Sequence, residues 1–214
     1  SFNEQGRAVT LQDYTVRALS LPAKFGSVAK VYVIQDQLSN TNLNDTSVDN
    51  NPLALSLYVL GYNNKKHLIT ATPTLKDNLK TYLAEFMLLT DSINIKDAFV
   101  INIGIEYDIK IRPNYSSRDV ILNCNIELQE YFDIAKRNIN QPINLSDIAV
   151  MLDKVKGVQT VQKINITNIS GSGYSQYGYD ILGATKNNVV YPSLDPCIFE
   201  IKYPKKDIKG RSII

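Results

Sequence analysis

The chain has 214 residues, of which 44% are hydrophobic and 21% are charged, proportions that are ordinary for a folded globular protein. Its 23 basic and 21 acidic residues leave a net charge of +2, so bulk charge gives no attraction to nucleic acid or to an acidic membrane surface. No apolar run in the sequence approaches the roughly 20 residues needed to cross a bilayer.

Two helix starts and a hairpin are predicted in the first half. Thr10 is a good N-cap residue, and Asp13 places a carboxylate near the free amides of the helix that follows. Thr72, which precedes a proline, marks the start of a second helix. Two apolar runs, 28–34 and 53–62, are typical of strands and predict a hairpin.

The connection between those two strands, residues 35–52, consists mostly of Asn, Asp, Ser and Thr. It contains almost nothing to bury, so we predict an exposed loop. A loop of this kind is more often an idle surface segment than a contact arm, and both interpretations stay open.

Residues 98–113 carry the strongest pattern in the chain. Every odd position from Phe99 to Ile111 is apolar, and from Asn102 to Arg112 the positions between them are polar or glycine. A period of two predicts a β-strand with one buried face and one face that meets solvent or a partner. At about 3.3 Å per residue this strand is roughly 40 Å long, so we predict that it serves two sheets in turn.

The second half is predicted to contain two helices and three strands. Ser116 or Ser117 caps a helix that runs to Phe132, and Asn144 begins a short helix that ends before a glycine. The predicted strands are 158–169, a short one near 189–191, and 197–203. The basic tail, PKKDIKGRSII, is expected to be loose.

This order of elements predicts an α+β fold. We expect two small modules of mixed or antiparallel sheet with helices packed on one face, joined by the long shared strand. The first module is predicted to span 1–97, and the second to span 98–214 with the loose basic tail.

The residues show no catalytic, metal-binding or cofactor-binding constellation, so we predict that the protein is not an enzyme. His67 is the only histidine, and no relay or metal-site pattern accompanies it. Glu106 and Asp108 share the polar face of the long strand, about 7 Å apart, as a glycosidase pair could. Basic residues continue the same face, so a charge ladder open to solvent or to a partner is the stronger interpretation. Cys124 and Cys197 are predicted to be ordinary thiols in a reducing compartment.

Three tyrosines follow the glycine-rich segment that begins at Gly171. Tyr174, Tyr177 and Tyr179 offer rigid contact area with a polar tip, which favours interfaces, so they are candidate partner contacts. A tyrosine-rich turn that packs on its own sheet is an equally good interpretation. The lysines of the tail do not make a nucleic-acid site, because no motif for one accompanies them.

Two segments resemble one known family. The segment GRAVTLQDYTVRAL resembles the opening motif of the baseplate J-like proteins of contractile-tail phages, through Arg7, Ala8, Val9, Thr10, Asp13 and Tyr14. Later, INLSDIAVMLDKVKGVQTV resembles the family's helix that ends in a v-x-GV-x-x-V pattern, with Gly157 and Val158 at its centre. The resemblance covers the chain from about Gly6 to Ile169.

The resemblance implies a structural role in the virion. The implied protein is a subunit of the tail baseplate wedge, assembled in the host cytoplasm. It forms a homodimer, contacts other wedge proteins and links neighbouring wedges into the ring around the tail hub. No catalysis, cofactor, nucleic acid or membrane is expected. The alternative is a receptor- or glycan-binding module of a phage tail that uses the tyrosines and the polar strand face.

Overall fold

The computed structural model describes residues 8, 10–36, 54–89 and 91–214. The chain divides into two compact units, Ser1–Ala98 and Phe99–Ile214. Each unit contains helices and a mixed sheet, so the predicted α+β fold class is confirmed. None of the helices in the described ranges is long and apolar enough to span a membrane.

The first unit is built around one central strand. Its elements are α1 (Leu11–Leu19), a 3-10 turn (Ala23–Phe25), β1 (Lys30–Gln35), β2 (Ala54–Tyr62), β3 (Leu68–Ile69), α2 (Pro73–Ala84) and β4 (Ser92–Asp97). Strand β2 pairs antiparallel with β1, as the predicted hairpin requires, parallel with β4, and antiparallel with β3 at its end. The predicted exposed loop between β1 and β2, residues 35–52, lies almost wholly outside the described residues.

The core of the first unit lies between its sheet and its two helices. Thr72 accepts a hydrogen bond from the Leu75 amide at 3.1 Å, so α2 begins at the predicted cap. The buried residues that form this core are Ala8, Tyr14, Ala18, Leu21, Val28, Val33, Leu55, Leu57, Val59, Ala71, Leu75, Leu79, Leu83 and Ile93. Leu11, in the first turn of α1, is 39% exposed and lies at the edge of the packed face.

The second unit contains three helices and seven strands within the described residues. They are β5 (Phe99–Ile111), α3 (Ser117–Tyr131), β6 (Ile143–Asn144), α4 (Leu145–Asp153), β7 (Val158–Asn168), β8 (Thr185–Lys186), β9 (Val189–Val190), β10 (Cys197–Glu200), α5 (Pro204–Asp207) and β11 (Ile208–Ile213). Ser116 and Asn144 cap α3 and α4 as predicted.

Strand β5 is the predicted alternating strand, and it is central to the sheet of the second unit. Strand β7 pairs with it antiparallel, whereas β10 and then β11 pair with it in parallel. The Phe99 amide donates to Pro196 beside β10, and the Asn102 carbonyl accepts from Ile169 beyond β7. Backbone groups of odd and even residues point to opposite edges of a strand, so β10 and β7 lie on opposite edges of β5. Strand β11 pairs with the same residues of β5 as β7 does. It therefore lies on the edge opposite β7, which it shares with β10.

The prediction that this strand serves two sheets is therefore wrong. Every strand that pairs with β5 among the described residues belongs to the second unit. Its 13 residues are needed because two short parallel strands occupy successive stretches of one edge. The first unit ends in a separate strand, β4, and Ala98 separates this strand from β5 in the sequence.

The apolar face of β5 is buried against helices α3 and α4. Ile103, Ile105 and Ile109 are fully buried there, together with Cys124 of α3 and Leu152 of α4. Cys124 and Cys197 are both buried free thiols, which agrees with the prediction that they form no disulfide.

The C-terminal tail is ordered, which contradicts the prediction of a loose segment. Residues Pro204–Asp207 form α5, and Ile208–Ile213 form β11, which pairs with β5 over six residues. The tail alternates apolar or small residues with Lys209 and Arg211. This period of two is typical of a half-buried strand, and the high proportion of basic residues obscured it.

Candidate interaction surface

The N-terminal motif begins a helix. The Thr10 hydroxyl accepts a hydrogen bond from the Asp13 amide at 3.2 Å, and the Asp13 carboxylate accepts one from the Thr10 amide at 2.9 Å, which is a capping box. Tyr14 is fully buried and donates to the Asp91 carboxylate at 2.8 Å. Burial and this carboxylate raise the pKa of the Tyr14 phenol. Ala8 is buried too, whereas Arg7 and Val9 lie outside the described residues.

The second motif turns the chain from α4 into β7. Gly157 has a φ of +95°, and a Cβ atom there would lie 2.6 Å from Val120 and 2.8 Å from Tyr115. Its carbonyl accepts from the Arg112 amide at 2.8 Å. Val158 is 2% exposed and begins β7. Both motifs therefore position backbone and core, and their described residues do not form a site for chemistry.

Tyr174 closes the glycine-rich segment onto the tail. Its hydroxyl donates to the Asp207 carboxylate at 3.0 Å, and its ring stands edge-on to Tyr203 with centroids 5.4 Å apart. Tyr203 in turn donates to the Gly173 carbonyl at 3.1 Å. Partial burial and the hydrogen bond to Asp207 raise the pKa of Tyr174 to about 12. This tyrosine makes the intramolecular contacts expected of a turn packed on its own sheet.

The other two tyrosines differ in how much of their surface is open. Tyr177 packs edge-on against Phe99, with centroids 4.6 Å apart, and remains 47% exposed. Tyr179 is half-buried against Phe199, and its hydroxyl donates to the Tyr191 carbonyl. Of the three, Tyr177 has the most surface open to a partner, and its contact with one remains a proposal.

The first part of the polar face of β5 is covered. Asn102 is 1% exposed, and its amide group donates to Glu200 Oε1 at 2.9 Å and accepts from the Ser175 amide at 2.7 Å. Two residues on, a Cβ atom at Gly104 would lie 3.3 Å from the Asp207 carbonyl and 3.1 Å from Ile169. The glycine-rich segment and α5 therefore pack directly on this stretch of the strand.

The remaining part of the polar face is open and carries charge. Opposite Glu106 the pairing places Lys209 of β11 on one side and Asn165 of β7 on the other. Opposite Asp108 it places Arg211 and Lys163 in the same way. These six side chains line a depression of about 250 Å³, together with Tyr107 and Gly210. We refer to these eight residues as the charged depression.

Only one acid of the charged depression is held in an ion pair. Arg211 makes two parallel hydrogen bonds to Asp108, at 2.8 and 3.1 Å. These bonds raise the pKa of the Arg211 guanidinium. On this face of β5, therefore, one carboxylate is held by Arg211 and the other is exposed.

The floor of the charged depression is fixed from the opposite side of the sheet. Tyr107 is 1% exposed, points towards α3, and donates to Asn125 Oδ1 at 2.6 Å. A Cβ atom on neighbouring Gly210 would overlap the Tyr107 ring. The ring therefore faces the core rather than the depression, so the lining lacks the aromatic platform expected of a glycan site.

The sequence predicted only the part of the charged depression that β5 contributes. It identified the charge ladder of β5, but it did not indicate the bases that flank the ladder from β11. Those bases alternate with Ile208, Gly210 and Ser212, and this alternation is the signal that could have revealed them.

Comparison with known proteins finds a likeness of fold. No family model matches the sequence, and no curated protein matches it. Among solved structures 18 chains match. One is a chain in the cryo-EM structure of the anti-feeding prophage baseplate, reconstructed with six-fold symmetry. The match has a TM-score of 0.52 at 12% identity and covers 93% of this chain. This chain spans only 39% of the length of that one.

Proposed function

We propose that this chain is a structural part of the baseplate of a contractile tail or a related injection machine. The observation that carries the proposal is the fold likeness to a chain of the anti-feeding prophage baseplate over 93% of this chain. At 12% identity the likeness concerns fold, and folds are shared by proteins of different function. The role therefore needs its own test.

Within the baseplate we assign the chain to the wedge. The support is the resemblance of both motifs to baseplate J-like proteins, and in particular to the C-terminal portion of the large wedge protein of T-even-type phages. In this role the protein pairs with its own copies, contacts other wedge proteins and links wedges into the ring around the hub. It performs no catalysis and acts in the virion, through protein–protein contacts that rearrange when the sheath contracts.

Sedimentation velocity over a concentration series of this chain tests self-association. A reversible monomer–dimer equilibrium supports the wedge assignment, because wedge subunits in this role pair through one self-complementary patch. A strict monomer at every concentration speaks against pairing through this part of the protein.

Addition of the chain to baseplate intermediates that lack it tests the structural role itself. Incorporation, followed by negative-stain microscopy of completed rings, supports the proposal. Failure to incorporate, combined with specific binding of the chain on a glycan array, would overturn it in favour of the receptor-binding alternative.

A further inference from the structure

We propose that the charged depression is a docking site for an acidic segment of a neighbouring protein, with separate carboxylates that meet Lys163 and Lys209. This inference deepens the proposed function and rests on it. The fold leaves positive charge unmatched on the open part of the sheet.

The register fixes where the charges lie. Lys209 is opposite Glu106 on one side of β5, and Lys163 is opposite Asp108 on the other. The two lysines are separated by two strand spacings across the sheet and two residues along it, which places their Cα atoms about 12 Å apart. They therefore flank the depression from two different strands, with Glu106 between them.

The charges in the depression do not cancel. Three bases and two acids line it, which leaves a net charge of +1. Arg211 and Asp108 neutralise each other. Across the described part of the chain, neither Lys163 nor Lys209 has an ion-pair partner within bonding distance. The surplus positive charge is thus carried by two solvent-facing lysines, which is the arrangement that an acidic partner complements.

The position of Glu106 restricts the class of partner. A polyanion of uniform charge density, such as nucleic acid, would place negative groups against this carboxylate, and like charges in contact oppose binding. A second copy docked face to face would bring two net positive depressions together. A peptide segment with spaced carboxylates avoids both penalties, because it can pair with each lysine and leave Glu106 in solvent.

The volume of the depression also suits a short peptide segment rather than a folded domain. Its volume of about 250 Å³ holds a few side chains. Side chains of an extended peptide alternate between its two faces, so two glutamates separated by three residues point to the same side, about 13 Å apart. This spacing lies within the reach of flexible lysine side chains on both strands.

The test uses the whole 214-residue chain, labelled with ¹⁵N, and two capped peptides of equal composition. In one peptide two glutamates are separated by three residues of serine and glycine, and in the other they are adjacent. We expect the spaced peptide to shift the backbone amides around Lys163 and Lys209, and to bind more tightly than its isomer. Equal binding of both peptides, or shifts spread over all lysines, would overturn the inference.

Charge-reversal variants supply the matched comparison. Lys163→Glu with Lys209→Glu should weaken binding of the spaced peptide by about tenfold or more. Lys154→Glu with Lys156→Glu makes the same change of net charge at two exposed residues after α4, and it should leave affinity within about twofold. Glu106→Gln should strengthen the binding of a single-stranded oligonucleotide. Tighter binding of that oligonucleotide than of the peptide by the unchanged protein would refute the partner class.

Incorporation into baseplates separates this inference from the proposed function. If the unchanged chain incorporates and the Lys163→Glu, Lys209→Glu variant does not, both stand. If the two incorporate equally, the docking inference fails and the structural role remains. If the unchanged chain does not incorporate, the proposed function fails whatever the peptides do.

Discussion

Replacement of Gly210 by alanine should destabilise the second unit, although a simpler argument predicts the opposite. The backbone of Gly210 lies outside the left-handed region. Alanine would therefore fit without backbone strain and reduce the entropy of the unfolded chain, a gain of about 0.4–1 kcal/mol. The structure reverses the sign, because the added Cβ would overlap Cζ and Oη of Tyr107 and lie 2.7 Å from its Cε2.

The ring of Tyr107 has little freedom to move away. It is 1% exposed, and its hydroxyl is held by Asn125 Oδ1 at 2.6 Å and lies 3.2 Å from the Ile121 carbonyl. Overpacking of a well-packed core costs about 1–3 kcal/mol. After the entropic gain is subtracted, we expect Gly210→Ala to lower the free energy of unfolding by about 1–2 kcal/mol.

Urea unfolding followed by circular dichroism measures this change, with Gly178→Ala as the control. The nearest atom to a Cβ at Gly178 is 3.9 Å away, so that variant should stay within about 0.5 kcal/mol of the unchanged protein. A double-mutant cycle with Tyr107→Leu isolates the clash, because leucine does not reach the position of Cζ. In that background Gly210→Ala should cost little. A Gly210→Ala protein as stable as the parent, or more stable, would refute the reasoning.

Three further predictions concern other parts of the chain. Thr10→Ala should lower the stability of the first unit in urea by about 0.5–2 kcal/mol, since Asp13 loses its capping acceptor, and Thr10→Ser should restore most of it; equal stabilities would contradict the capping role. Cys124 and Cys197 should resist Ellman's reagent at mildly alkaline pH until the chain unfolds, because burial raises the pKa of both thiols, that of Cys124 to about 11; rapid labelling of the native protein would contradict this. Gly157→Ala should lower the melting temperature clearly, because its φ is +95° and the Cβ position is occupied; an unchanged melting temperature would count against both arguments.

Helix starts were predictable because the chemistry that fixes them is local. Thr10 and Thr72 act as caps through hydrogen bonds to amides three residues away, and such bonds depend on nearby sequence alone. The location of β5 was predictable for a similar reason, since only an extended strand with one buried face sustains a period of two over so many residues.

The partners of β5 were not predictable, because pairing depends on residues far away in the chain. Strand length suggested two sheets, but the structure instead places β10 and β11 one after the other along the same edge. Between them the chain leaves the sheet at Ile201 and returns at Ile208 while β5 advances from Asn102 to Ile105. The excursion contains α5, and it explains why Gly104, beneath the Asp207 carbonyl, has no side chain.

The boundary between the covered and open parts of the polar face follows the chemistry of its residues. Asn102 can be buried because an amide satisfies its hydrogen bonds within the protein, here with Glu200 and Ser175. A carboxylate under the same cover needs a donor that offsets its desolvation cost. Glu200 is 2% exposed and accepts from the Asn102 amide, whereas Glu106 lies on the open stretch and is exposed. Along one face of a strand, the change from neutral to charged residues thus marks where packing ends and a surface begins. In this chain that surface is the charged depression.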